Sequence, residues 1–231
     1  ETKKMYQKYF QEVMSTEPLS RKLGKTDFRL LQEIYSKNEE SRPIARIADK
    51  LHPWAALVFA GSAFPQGYSA ETGADMLLTN AATDINKPRG SLESLDDVTA
   101  IFKAQPEETM LNFLKASIKT NKEETEDIKK LHQAYSDGRF EELIPLLEET
   151  EQRTLKLVDT KYAKAMSDWL KNDLLIRRNL AWLPEIRKQS AKQSTLFAVG
   201  IAHLPSEKGL IELLRQEGYQ VTPEPKVLIW Q

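Results

Sequence analysis

The chain has 231 residues, enough for one large domain or two small ones with a buried core. Its 33 Lys and Arg balance 34 Asp and Glu for a formal net charge of -1, so no overall field exists to hold nucleic acid or an anionic membrane surface. Cysteine is absent, which excludes disulfides, thiolate nucleophiles and sulfur-ligated zinc, and leaves His and carboxylates as the only metal ligands.

No apolar run approaches the roughly 20 residues of a membrane span. The opening residues ETKKMYQKYF are not a signal peptide. Position 1 is not Met, so a processed or trimmed product is expected, with residues N-terminal to Glu1 left out.

From Met5 to about Leu183 the apolar residues recur at three and four. This spacing predicts helices over Lys4 to Met14, Thr26 to Ser36, Pro43 to Ala60, Glu71 to Ala82, Ser94 to Ala104, Pro106 to Tyr135, Phe140 to Glu148, Arg153 to Lys171 and Asn172 to Lys188. Ser94 with Asp97 reads as a capping box, and Pro106 with Glu107 and Glu108 as a first helical turn. Phe64 to Gly73, with Pro65 and Gly67, is the clearest loop. Ser117 to Gln133 is dense in Lys and Glu and reads as a solvated helix, with Glu126 placed to pair with Lys129 and Lys130.

The C-terminal part reads differently. Thr195 to Gly200 is apolar without alternation, as in a strand covered on both faces. Lys87 to Leu92, Gln220 to Thr222 and Lys226 to Trp230 are further strand candidates, and Ser206 to Gln216 is a helix ending at Gly218. The expected fold class is α/β, a small central β-sheet with a large helical body, helical by residue count. It is expected as a single domain over 1–231, with the helical body at about 1–189 and a strand-helix-strand unit at about 190–231.

In open α/β sheets, ligands gather beyond the carboxyl ends of strands. Two polar turns fit: Gly200-Ile201-Ala202-His203, and Ser91-Leu92-Glu93-Ser94. If their strands are neighbours, Glu93 and His203 project into one space, a carboxylate and an imidazole suited to metal or acid-base work. Taken alone, a His after a strand is more often a loop residue than a ligand, and Gly200 has a plain account in tight packing or positive φ. Arg177, Arg178 and Asn179 either bind a carboxylate or strand end, or sit in surface ion pairs. Asp75 reads as a capping residue, His52 as structural and His132 as solvent-facing. No serine-hydrolase elbow, phosphate loop or zincin motif occurs.

Several segments together resemble one family. TLFAVGIAHLPSEKGLIELLRQEGYQV resembles the C-terminal signature of the TraB/GumN/PrgY family, to which the Tiki metalloproteases are related. RRNLAWLPEI is similar to the family's R-N-x-x-W helix, GADMLLTNAATDINKPRGSLES to its G-x-D to G-L-E segment, and HPWAALV to its K-P-W segment. The resemblance implies an α/β fold of two related halves and a metal-dependent, peptidase-like hydrolytic site with a divalent ion of unspecified identity. Gly200 and His203 match the second of two G-x-x-H motifs, Glu93 the Glu of G-L-E, and Arg178 with Asn179 the R-N pair.

The implied roles are metal ligand for His203, ligand or general base for Glu93, and orientation or charge stabilisation for Arg178 and Asn179. Departures are Ser206 where a Gly is usual, Ser91 between Gly90 and Leu92, and the lack of a first G-x-x-H segment. One His and one Glu fall short of the about three protein ligands usual in a catalytic metal site. The implied partner is a peptide or protein substrate, in a periplasmic or secreted setting. The alternative is a non-catalytic peptide- or partner-binding protein with a vestigial site, using residues around Trp54 and Phe64 to Tyr68 as a groove.

Overall fold

The computed structural model describes residues 2–223. It divides into two compact units, Glu1–Asp168 and Trp169–Gln231. The first holds helices α1 (Thr2–Val13), α2 (Leu19–Leu23), α3 (Lys25–Tyr35), α4 (Arg42–Ile47), α5 (Pro53–Gly61), α6 (Ala74–Asp84), α7 (Leu95–Lys103), α8 (Glu107–Ser136), α9 (Leu143–Leu155) and α10 (Thr160–Asp168). The second holds a π-helical segment, Trp169–Ile176, then α11 (Arg177–Ser190) and α12 (Leu210–Gln216).

The long α8 organises the first unit, packing against α3, α5, α9 and α10. Its apolar N-terminal half explains this: Met110, Leu114, Ala116 and Ile118 are buried at helical spacing. Opposite them, α5 begins with Pro53 in its first turn, where the missing amide hydrogen costs nothing, and buries Ala55, Ala56 and Ala60. These small side chains let the two helices approach closely. Trp54 is also buried, with its ring 6.1 Å from that of Phe102. Tyr35 is fully buried on α3, and its hydroxyl donates to the Ala56 carbonyl at 2.7 Å, tying α3 to α5. Burial pushes the Tyr35 phenol well up from its ordinary value, so it stays a donor.

The expected helix over Pro43 to Ala60 is broken into α4, a short 3-10 turn at Ala48–Lys50 and α5, because the residue before Pro53 is pushed out of the helical region: His52 has ψ 148°. The charged stretch of α8 is more than a solvated surface. Glu126 does bond Lys129 at 2.8 Å, but Lys130 reaches Asp127 instead, and Asp127 is buried. Asp127 accepts from Arg153 at 2.6 Å and from Thr150 at 3.0 Å, both on α9. Beside it, Glu124 accepts from Thr120 at 2.5 Å and from Thr154 at 3.4 Å. A polar seam therefore joins α8 to α9.

The expected central β-sheet is not found among the described residues, which are mainly helical. Among the described residues, the one β-type pairing outside a strand is an isolated antiparallel bridge between Met14 and Leu51. Lys87 to Leu92 and Gln220 to Thr222 are irregular, and Lys226 to Trp230 lies outside the described residues. Thr195 to Gly200 has no ladder partner among the described residues, and Leu196 is 71% exposed. The physical reason is that a strand exists only through its neighbour's hydrogen bonds. An apolar run signals a preference for burial without supplying the second strand. The same correction applies to the α/β class that the family resemblance implied.

Candidate functional site

The site centres on His203, in a strongly local structure. The Gly200 carbonyl accepts from the His203 amide at 2.9 Å, closing the single 3-10 turn Ile201–His203. G-x-x-H spacing is thus one turn of i to i+3 geometry, which folds the imidazole back toward Gly200. Gly200 has φ -58°, and a Cβ added there would meet His203 Cδ2 at 3.7 Å, an ordinary contact. Neither positive φ nor tight packing accounts for this glycine.

Past the turn, Ser206 adopts φ 81°, a left-handed conformation that glycine takes without strain. This is the position where the family pattern usually has Gly. It also explains why α12 starts at Leu210 rather than at Ser206. Gly209 cannot be replaced cheaply, since an added Cβ would lie 1.9 Å from the Pro205 carbonyl oxygen. At its far end α12 closes as expected, with Gly218 at φ 90°.

Arg178, Asn179 and Trp182 reach His203 from α11. Asn179 is 2% exposed and His203 6%. The Asn179 Nδ2 group donates to the Lys208 carbonyl at 2.9 Å and to the His203 carbonyl at 3.3 Å. Carbonyls only accept, so this fixes the amide orientation and turns Oδ1 toward the ring. His203 Nδ1 lies 2.7 Å from Oδ1 and must donate to it. The neutral ring therefore carries its proton on Nδ1 and its lone pair on Nε2. Arg178 Nη1 lies 3.3 Å from Nε2 and donates to that lone pair.

Arg178 has further anchors. Nη1 also donates to the Leu174 carbonyl at 3.0 Å, and the guanidinium carbon sits 5.0 Å from the centre of the Trp182 ring. Leu174 belongs to the π-helical segment, where the regular i to i-4 pattern is interrupted. The Trp182 ring lies 4.5 Å from that of His203. Trp182 was not singled out as a site residue from the sequence. The available signal was its place three and four residues after Asn179 and Arg178, which puts all three on one side of a helix.

Glu93 lies in the first unit, partly exposed, one residue before Ser94, which caps α7 and forms the expected capping box with Asp97. Arg177 pairs with Asp173 at 2.8 Å on the surface. Asp75 is exposed in the first turn of α6. His52 stands before Pro53 with Nδ1 3.9 Å from a Glu107 oxygen, and the exposed His132 meets Tyr68 edge-on at 5.3 Å.

The sequence model of the TraB/PrgY/gumN family matches residues 1–223, nearly the whole chain. The chain belongs to that family. Neither a curated protein nor a solved structure gives a match. Among the described residues, no helix is long and apolar enough to cross a membrane.

A divalent metal can be tested against this TraB/PrgY/gumN site by its donor set. Among the described residues no three His, Cys, Asp or Glu side chains group together. His203 by itself fits one coordination position. Metal-binding histidines characteristically donate their second ring N–H to a fixed acceptor, which sets tautomer and orientation, and Asn179 Oδ1 is such an acceptor for His203.

Proposed function

We propose that this TraB/PrgY/gumN protein acts in metal-dependent, peptidase-like hydrolysis, with His203 as an imidazole ligand. The observation that supports the reading is the Asn179 hold on Nδ1, which leaves Nε2 as the ring's only lone pair. A divalent ion, when bound, activates water and polarises a peptide carbonyl. His203 Nε2 is the atom that would hold it, and Asn179 is the positioning residue that orients the ring. Glu93 carries the role of ligand or general base on the family resemblance alone. Arg178 supplies a fixed positive charge suited to an anionic group of the substrate or to developing negative charge.

The experiment is cleavage of a mixed peptide library by the full chain, with and without a chelator, compared with His203→Ala and Glu93→Gln. Cleavage that the chelator stops, and that each substitution lowers by about a hundredfold or more, supports the reading. Cleavage unaffected by chelator and by His203→Ala overturns it. Peptide retained without cleavage favours the non-catalytic binding alternative.

A further inference from the structure

The apolar stripe of α6 is turned outward. Ala74, Leu77, Leu78 and Ala81, with Ile85 just past the helix end, recur at three and four, the pattern of a helix face that packs against something. Yet no residue of α6 is buried, and its two half-buried residues, Thr79 and Ala82, lie to one side of that stripe. Leu77 is 59% exposed, Leu78 42% and Ile85 70%. Three large apolar side chains on one face form a patch, unlike the single surface residues that need no explanation. The helix itself is properly closed. Asn86 takes φ 53° and the Lys87 amide donates to the Ala82 carbonyl at 2.7 Å.

We infer that α6 is a self-association surface, on which two copies of this chain pair their α6 helices antiparallel about a two-fold axis at Ala81. In such an isologous pair residue i meets j and j meets i. Leu77 and Ile85 stand equally far from Ala81 on either side, so each Leu77 meets the other copy's Ile85, and the small Ala81 side chains let the two backbones approach. The same operation sets Asp75 opposite Lys87. Charge selects this occupant. The N-terminal end of the stripe carries the carboxylates Glu71 and Asp75, and the C-terminal end the cations Lys87 and Arg89 beside Asp84. All five side chains are exposed, and among the described residues none is in an ion pair. Antiparallel pairing joins unlike ends twice, whereas an anionic lipid surface would meet three carboxylates along the stripe. The stripe is on the order of a few hundred Å², below the about 800 Å² per partner of a standard interface. The dimer is therefore reversible, with a Kd on the order of 100 μM.

The test is sedimentation velocity of the full chain at low salt, from about 10 μM to about 1 mM protein, a range that brackets the expected Kd. Wild type is compared with Ile85→Asp, Lys87→Glu and the double exchange Asp75→Lys with Lys87→Glu. Wild type is expected to pass from monomer to dimer, Ile85→Asp to weaken association about tenfold or more, Lys87→Glu to weaken it about threefold, and the double exchange to recover it. Ile85 is 70% exposed, so its replacement reads the contact and leaves the fold intact. Crosslinking gives a second measurement. The chain has no cysteine, so Ala81→Cys introduces a lone thiol, which on mild oxidation is expected to yield covalent dimers at least about fivefold faster than Met76→Cys, on the other side of α6. A monomer throughout the concentration range overturns the inference. So does association that Ile85→Asp leaves unchanged, or equal crosslinking from Met76→Cys.

Discussion

Asn179 is the residue through which the site is organised. It has no charge and no reactivity, yet its amide joins the His203 ring, the His203 carbonyl and the Lys208 carbonyl. Replacing it by Leu removes the bonds to the buried His203 ring and carbonyl and to the part-buried Lys208 carbonyl. We expect Asn179→Leu to lower stability by about 2–4 kcal/mol, since each buried unsatisfied group costs about 1–3 kcal/mol and part is recovered by relaxation. Urea unfolding checks this, and a loss below about 1 kcal/mol would contradict the bonding described. The sequence singled out His203, Arg178 and Asn179, because a polar group beside an apolar run is conspicuous. That Arg178 and Asn179 converge on His203 was not legible, since spacing of 24 and 25 residues carries no geometric information without the turn between them.

Among the elements, the α8–α9 pair shows how a polar seam escapes sequence reading. Thr120, Glu124, Asp127, Thr150 and Arg153 all belong to residue types that usually mark a surface, so Ser117 to Gln133 reads as solvated. Its pH behaviour follows from two opposed carboxylates. For Asp127 burial is the largest effect and raises its affinity for protons. The hydrogen bonds from Arg153, Thr150 and Lys130 together outweigh it and hold the carboxyl below its ordinary value. Its stabilising contribution is present above that ordinary value and is lost as pH falls through the lower folded one.

Burial likewise dominates for Glu124 and, aided by Asp127, raises it above its ordinary 4.5 despite bonds from Thr120 and Thr154. That contribution runs the other way: it is full below pH 4.5 and is lost as pH rises through the raised value. Glu124→Gln removes the ionisation, so the gain in stability on moving from pH 7 toward 5 is expected to be smaller in the variant than in wild type. The measurement is the difference in urea midpoints across that range. Identical pH profiles would show that Glu124 is not held in the seam.

For the whole molecule, the helical character and most helix positions were legible from three-four periodicity, as with Glu107–Ser136 for α8 and Leu95–Lys103 for α7. The sheet was not, because a strand is a relation between two segments and one apolar run states only half of it. Thr195 to Gly200 shows this: the run is apolar throughout, yet Leu196, Ala198 and Gly200 are exposed. Leu196→Asp separates the two descriptions. With Leu196 71% exposed, the change is expected to alter stability by less than about 0.5 kcal/mol. A strand covered on both faces would instead lose on the order of 3 kcal/mol, readable as a clear drop in urea midpoint.

Asn179 keeps His203 as an Nδ1-protonated imidazole with its lone pair on Nε2, the atom proposed as the ligand. Long-range proton–nitrogen NMR of the His203 ring, followed through a zinc titration at neutral pH, tests it most directly. The proton is expected on Nδ1 in the metal-free protein, and the Nε2 resonance is expected to shift on adding zinc while Nδ1 keeps its hydrogen. A ring protonated on Nε2, or an Nε2 resonance indifferent to zinc, would contradict it.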